Sequence, residues 1–322
     1  EEIGAGGEVT VITVPDTRIA LAEAADRFFG HPSRQLTVIG ITGTNGKTTT
    51  SFLVESILKQ AGYRPGVIGT IDYRFGDIRR PAPNTTPNAL VLHGIIREMV
   101  DARVTHLIIE VSSHALEQHR VERLDFNVAV FTNLSAEHLD YHGSMESYGR
   151  SKQLLFDYYL PRSCKGKKYA MINYDDDFGK GLCTVGKAQL LRYGIREGIE
   201  ISVKDMELNH SGTLLRVMTP AGEVELHSPL IGSFNCENIL AALGVALTQD
   251  IPLPVIRQGI AGLTRIPGRL EQVPNRRGLT ILIDYAHTSD ALAQVLETQR
   301  GLGPKRLITV FGCGGDRDIT KR

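Results

Sequence analysis

The sequence predicts an α/β fold: a central, mainly parallel sheet with an appended antiparallel meander, followed by the start of a second α/β unit. Three observations carry that expectation. From Leu36 onward, apolar runs alternate with amphipathic stretches; residues 199–230 instead alternate apolar and polar residues singly; and the first pattern restarts after Ile266-Pro267-Gly268. Buried strands alternating with helices call for a sheet covered on both faces, which is the parallel arrangement.

Taken in order, residues 8–35 predict a short strand over 9–14, an Asp-capped helix over 17–29 and a break at His31-Pro32. Buried strands are expected over 36–42, 104–111, 128–132 and 168–173. Between the first two, Phe52, Leu53, Ile57, Leu58 and Ala61 share one helical face, and Gly62 closes that helix. The meander comprises 201–208, 213–219 and 223–227, turning at Ser211-Gly212 and Ala221-Gly222. A helix over 236–247 follows, then a short helix within 251–263 beside Pro252 and Pro254. The second unit opens with a strand over 280–284, a helix over 291–300 and a strand over 306–311.

Composition narrows the function. The 322 residues are enough for about two domains, and 42% hydrophobic with 22% charged residues is ordinary globular composition. Lysine plus arginine equals aspartate plus glutamate, 36 each, which gives no reason to propose a nucleic-acid or anionic-membrane partner. No apolar run approaches the ~20 residues that span a bilayer. The acidic, glycine-rich start from Glu1 to Gly7 is no secretory signal, and a chain beginning with glutamate need not begin where its gene does. Cys164, Cys183, Cys236 and Cys313 form no CxxC pair, so structural zinc and a disulfide framework are not expected and a reducing cytoplasm fits.

The chemistry concentrates in Gly43-Thr44-Asn45-Gly46-Lys47-Thr48-Thr49, between an apolar strand and an amphipathic helix. Small glycines let backbone N–H groups curl around phosphate oxygens, and a helix N-terminus adds partial positive charge. Lys47 can reach the β/γ-phosphates and the Thr48 hydroxyl can bind Mg²⁺. Ile41 stands where the strict phosphate-loop pattern has its first glycine. The plain alternative is a glycine-rich strand-to-helix turn; the Lys-Thr pair in a strand–loop–helix context favours the phosphate loop. Glu110 ends the strand at 106–110, at the edge where α/β proteins bind ligands, and is placed to hold Mg²⁺ near the phosphates.

Ten segments, in order, carry a resemblance. They are Gly43-Thr44-Asn45-Gly46-Lys47-Thr48, Asn84-Thr85-Thr86-Pro87, Glu110-Val111-Ser112-Ser113-His114-Ala115-Leu116, Phe131-Thr132-Asn133-Leu134, Glu137-His138-Leu139-Asp140-Tyr141-His142-Gly143 and Tyr148 with Lys152. The remainder are Phe234-Asn235 with Asn238, Pro267-Gly268-Arg269 with Glu271, Asp284-Tyr285-Ala286-His287, and Gly312-Cys313-Gly314-Gly315-Asp316-Arg317-Asp318. Together they resemble the Mur ligase superfamily, and within it most closely the MurE branch.

That resemblance implies three domains: residues 1–35 as the tail of a UDP-binding domain, 36–265 as the central P-loop ATPase-like domain, and 266–322 as the start of a Rossmann-like ligase domain. It implies an ATP- and Mg²⁺-dependent, ADP-forming enzyme of peptidoglycan precursor synthesis, acting as a monomer. Such an enzyme phosphorylates UDP-MurNAc-L-Ala-D-Glu, and meso-diaminopimelate or L-lysine then attacks the acyl phosphate. Asn84, Thr85, Thr86, Ser112, Gln118 and Arg120 would bind the UDP-MurNAc-dipeptide. Thr48 and Glu110 would hold one Mg²⁺; His138 and a carbamylated Lys152 would hold a second. Asn235, Asn238, Arg269 and Asp284 would lie near the nucleotide. From local sequence alone Lys152 is a solvated helix lysine, and Asn235 could equally cap a helix. His114, His119, His142 and His287 are given structural roles, and Asp175-Asp176-Asp177 a solvated acidic turn.

Folylpolyglutamate synthase, the ligase half of a cyanophycin synthetase and a non-catalytic ATP-binding protein are the rivals. The Asn-Thr-Thr-Pro segment, Gln118 and Arg120 favour a muramyl substrate, and Lys47, Glu110 and His138 are all present. With so little chain before residue 36 and after Phe311, the chain is expected to be incomplete at both ends and not by itself a competent ligase.

Overall fold

The structure, a computed structural model, describes residues 11–182, 186–209 and 212–312. In chain order the elements are α1 (Thr17–Phe28), β1 (Thr37–Thr42), α2 (Lys47–Gln60), β2 (Pro65–Ile68), β3 (Asp72–Phe75), β4 (Ile78–Pro81), α3 (Ala89–Asp101) and β5 (His106–Glu110). Next come α4 (Ser113–Glu117), β6 (Val128–Phe131), α5 (Leu139–His142), α6 (Met145–Leu154), a π-turn (Leu155–Tyr159), α7 (Leu160–Arg162), β7 (Tyr169–Asn173), α8 (Asp177–Gly181) and β8 (Gln189–Gly194). The meander is β9 (Ile201–Asn209), β10 (Gly212–Thr219) and β11 (Gly222–Ser228). It is followed by α9 (Ser233–Leu247), α10 (Leu253–Gly262), β12 (Glu271–Gln272), β13 (Leu282–Ile283) and α11 (Ser289–Gly301).

One sheet runs in the order β11-β10-β9-β8-β7-β6-β1-β5-β2-β3-β4. Its middle, from β9 to β2, is parallel, and the flanking pairs are antiparallel. Alternation along β1 explains the layers. Ile39 and Ile41 face the cluster containing Leu53, Ile57 and Leu58 of α2, Ile239 and Leu243 of α9 and Ile260 of α10. Val38 faces the opposite cluster with Leu92, Ile96 and Met99 of α3. Each such aliphatic side chain taken out of water contributes roughly 1.5–3 kcal/mol. Gly259 lets α10 lie close on α2, since a Cβ there would come 2.5 Å from Ile57 Cα.

The meander is no separate attachment: β9 pairs in parallel with β8 and extends the same sheet. Residues 11–14 form no strand, and Ile12 is exposed; Val9 and Thr10, where the expected strand begins, lie outside the described residues. Asp16 caps α1 as expected, accepting from Arg18 N at 2.7 Å and Ile19 N at 3.1 Å. In the second unit the strand expected over 280–284 shortens to β13, paired antiparallel with β12. Residues 306–311 form no strand, and Val310 is 94% exposed. A strand needs a ladder partner for its N–H and C=O groups, and among the described residues none lies beside this segment. No described helix is long and apolar enough to cross a membrane.

The C-terminal ends of β1, β5, β6 and β7 lie at one edge of the sheet. The loops leaving that edge are where a doubly wound sheet binds its ligand.

Candidate active site

The loop from Gly43 to Gly46 joins β1 to α2, with φ of 145° at Gly43 and 86° at Gly46. Both glycines are required by approach as well as by backbone: a Cβ on Gly43 would land on Thr132 Oγ1, and one on Gly46 on Asn238 Oδ1. The loop is gripped from the β6 side. Asn133 Oδ1 accepts from Asn45 N at 2.8 Å, Thr132 Oγ1 donates to Asn45 O at 2.6 Å, and Ser135 N donates to Thr44 Oγ1 at 3.0 Å. Lys47 begins α2 and folds back, its Nζ donating to Gly43 O at 2.8 Å and Thr44 O at 2.7 Å. Burial holds its ammonium below the ordinary lysine range, opposed by the charges of Glu137 and Glu110. A phosphate would relieve that burial penalty by pairing with the ammonium.

Glu110 is 1% exposed. It accepts from Thr48 Oγ1 at 3.0 Å, Thr70 Oγ1 at 2.8 Å, Thr70 N at 3.3 Å and Ser51 Oγ at 3.5 Å. These partners are all neutral, so among the described residues a buried carboxylate stands beside a hydroxyl with no cationic side chain hydrogen-bonded to it. Hard oxygen donors of this kind suit Mg²⁺, which commonly takes one or two carboxylates and completes its shell with phosphate and water. Among the described residues no group of three His, Cys, Asp or Glu side chains converges into a protein-only metal cage.

Lys152 is also 1% exposed. Its Nζ donates to Gly43 O at 2.8 Å and sits 4.2 Å from the Tyr148 ring centroid. Burial, and secondarily the charge of Lys47, push its amine well below the usual lysine range. Tyr148 in turn bonds Thr44 Oγ1 through its hydroxyl at 3.2 Å. His138, with a left-handed φ of 56°, packs edge-on toward Tyr148, and burial pushes its imidazole down to about 4. Beside it, burial would raise Glu137, but a hydrogen bond from His287 and the charges of Lys47 and His138 hold it down at about 2.

A cleft of about 790 Å³ is lined by the loop from Thr44 to Thr49, Thr70, Glu137 and His138 and by the second unit, whose Arg269 Nη2 donates to Thr48 Oγ1 at 3.3 Å; Glu110, Tyr148 and Lys152 are buried behind that lining, bonded to Thr48, Thr44 and Gly43. At its far end lie Asn84, Thr85, Ser112 and Arg120.

The family model described as the Mur ligase middle domain matches residues 41–246. A second, the Mur ligase glutamate ligase domain, matches 268–322. The chain belongs to the Mur ligase family. Among its relatives, a protein of Geobacter sulfurreducens named UDP-N-acetylmuramoyl-L-alanyl-D-glutamate--2,6-diaminopimelate ligase is 48% identical over 97% of this chain and 61% of its own length. A protein of the same name from Geobacillus thermodenitrificans is 42% identical over 98% of this chain and 64% of its own length. A solved structure under that name superposes with a TM-score of 0.80 at 33% identity, covering 97% of this chain and 63% of that one. Folylpolyglutamate synthase from Mycobacterium tuberculosis, with ADP and AMPPCP, gives 0.72 at 19% identity, covering 88% and 71%, a likeness of fold. The chain thus spans a little over three-fifths of the curated relatives it matches.

Within this Mur ligase chain the expected site residues do not all face the cleft. Thr86 is fully buried, its hydroxyl donating to Glu110 O at 2.8 Å and accepting from Ser112 N at 3.1 Å. Gln118 Oε1 accepts from Arg120 Nε and Nη2 at 3.0 and 2.7 Å, while Arg120 Nη1 donates to Thr86 O at 2.9 Å. These two shape the cluster and orient the arginine. Asn235 is no cap, because Gly232 holds that position; it ties Ile231 O at 2.8 Å to Asn238 Nδ2 at 3.1 Å. Asp284 accepts from Leu270 N at 2.7 Å and Ala286 N at 2.8 Å, fastening the loop that carries Arg269.

Of the acidic run, Asp176 caps α8 and accepts from Leu134 N at 2.8 Å, Asp175 accepts from Ile195 N at 2.5 Å, and only Asp177 is solvated. That corrects the expectation of a wholly solvated turn: two of the three carboxylates satisfy loop N–H groups. His142 Nε2 meets Ser113 Oγ at 2.9 Å and His119 Nδ1 meets Glu122 at 3.2 Å, both structural contacts. Thr70, Ser51 and Tyr148 carried no expected role. A threonine just past β2, at the same sheet edge as Glu110, was the available signal for Thr70. Cys183 and residues 313–318 of the last motif lie outside the described residues.

Proposed function

We propose that this chain is the nucleotide-binding core of an ADP-forming ligase that joins a diamino acid to UDP-MurNAc-L-Ala-D-Glu in peptidoglycan precursor synthesis. One observation carries the reading: a single cleft has the phosphate loop at one end, the Arg120 cluster at the other and Glu110 buried beside the loop. The relatives' names supply the substrates and favour 2,6-diaminopimelate as the amino acid.

In this reading residues 36–265 form the ATP-binding domain, with 1–35 and 266–322 belonging to the domains on either side. Lys47 neutralises the β/γ-phosphates, and the helix N-terminus behind it adds N–H donors. Thr48 and Glu110 would hold Mg²⁺, which supplies charge neutralisation at the transferring phosphoryl group. Arg120, oriented by Gln118, pairs with a substrate carboxylate while Asn84, Thr85 and Ser112 meet its amide and sugar groups. Asn235 and Asn238 back the loop at Gly46, and Arg269 and Asp284 close it from the second unit. Lys152 is buried enough to be a neutral amine, the form that adds to CO₂ with loss of a proton. The resulting carbamate, with His138, would give a second cation site an anionic oxygen ligand. Orientation is the main contribution of such a cleft, because phosphoryl transfer needs positioning more than covalent chemistry from the protein.

Equilibrium titration of the chain with UDP-MurNAc-L-Ala-D-Glu and, separately, MgATP tests the assignment. Arg120→Ala should weaken the muramyl ligand about tenfold or more, the cost of a charged hydrogen bond, and leave MgATP within twofold. A protein that binds MgATP but not the muramyl dipeptide would overturn the substrate assignment.

A further inference from the structure

Across the cleft, His287 in the loop between β13 and α11 meets Glu137 in the loop between β6 and α5. His287 Nε2 lies 3.2 Å from Glu137 Oε1, and Nδ1 lies 3.0 Å from the Tyr285 carbonyl oxygen. Both partners accept: one is a carbonyl, the other a carboxylate. A neutral imidazole carries one N–H, so one of these contacts would set two lone pairs against each other. Only the imidazolium satisfies both. The ring is half exposed, so the charge is not stripped of water, whereas Glu137 is 8% exposed and fixed in place.

Among the groups around the pair are Lys47 and His138 on the Glu137 side and the Tyr285 ring, 5.0 Å from the His287 ring, on the other. Arg269 lies beyond, 5.1 Å from the Tyr285 centroid. Lys47 and Arg269 oppose a cation at His287, but the carboxylate in direct contact outweighs charges set farther away. The loop that His287 anchors is one piece with the Arg269 strap: Tyr285 N donates to Gly268 O at 2.8 Å and Leu270 N to Asp284 Oδ2 at 2.7 Å.

We infer that His287 is a positioning residue: as an imidazolium it latches this strap onto Glu137, and so holds Arg269 and Asp284 against the phosphate loop. The inference rests on the nucleotide reading of the cleft and names how the second unit is registered on it. Loss of the ring's proton loosens the latch, so nucleotide affinity falls as pH rises through that titration.

Ring-¹⁵N-histidine NMR of the 322-residue protein at pH 7.5, without nucleotide, tests the charge directly, with His287→Gln identifying the signal. An ordinary histidine, with a pKa of about 6.5, is roughly nine-tenths neutral there. The latch predicts both His287 nitrogens protonated, and a neutral pattern in Glu137→Gln. MgATP titration of His287→Gln should show about three- to tenfold weaker binding with the melting temperature unchanged, the loss expected from one charge-assisted hydrogen bond. A neutral His287 ring in the wild type, or MgATP affinity within twofold in His287→Gln, would overturn the latch. A wild type that binds no MgATP would instead sink the nucleotide reading, and the ring spectrum would still judge the contact.

Discussion

Two lysines converge on one carbonyl. Lys47 Nζ and Lys152 Nζ each donate to Gly43 O at 2.8 Å, and burial lowers both amines. Two ammonium groups on one oxygen are unfavourable, and Lys152, the less exposed of the two, gives up its proton more readily. That asymmetry fits the two proposed roles, a charged Lys47 for phosphate and a neutral Lys152 for carbamylation. Lys152→Ala in an active ligase should therefore lose most activity and regain part of it with added short-chain carboxylates. Near-normal activity of the variant, without rescue, would remove Lys152 from the chemistry. Local sequence could not have found this residue: it sits on a polar helix, and only the packing of α6 over the phosphate loop buries it. The position of Glu110 was legible because it ends a parallel strand beside the phosphate loop, at the sheet edge where α/β proteins bind ligands.

At the scale of elements, the loop between β1 and α2 depends on glycine where the 132–135 loop presses on it. Gly43→Ala forces a side chain into a left-handed φ and onto Thr132, and should cost roughly 1–3 kcal/mol, read as a lower urea midpoint. An unchanged midpoint would mean the loop rearranges freely. Helix α9 carries a second test. Burial, with Asp175 and Asp176 adding to it and Asn173 opposing, pushes Glu237 up to about 7. The folded state therefore keeps a proton that the unfolded chain releases near its ordinary carboxyl pKa. Stability falls as pH rises between those values, by about 3 kcal/mol. Glu237→Gln should raise the melting temperature at pH 8 and change it little at pH 4; equal shifts at both would show that the charge is not the cause. The long buried strands and helices were readable from periodicity. Strands β2, β3, β4 and β8 were not, because four- to six-residue segments carrying Pro65, Arg74, Arg80 and Arg192 lack an apolar run and are fixed by their neighbours. The expected 306–311 strand failed for the complementary reason: it has the apolar pattern but no described partner.

The whole molecule places its cleft between a central sheet and a second unit that touch through Arg269 with Thr48 and His287 with Glu137. The sequence motifs named most of the residues on both sides; their meeting across some 221 positions of chain is a property of the fold. The account stands on that cleft being a nucleotide site whose charge partner is Lys47. Isothermal titration of MgATP into the protein and into Lys47→Ala tests it most directly. The account predicts wild-type binding and a loss of about 10- to 100-fold in the variant, the value of a charged hydrogen bond to phosphate; equal affinity in the two proteins, or none in the wild type, would contradict it.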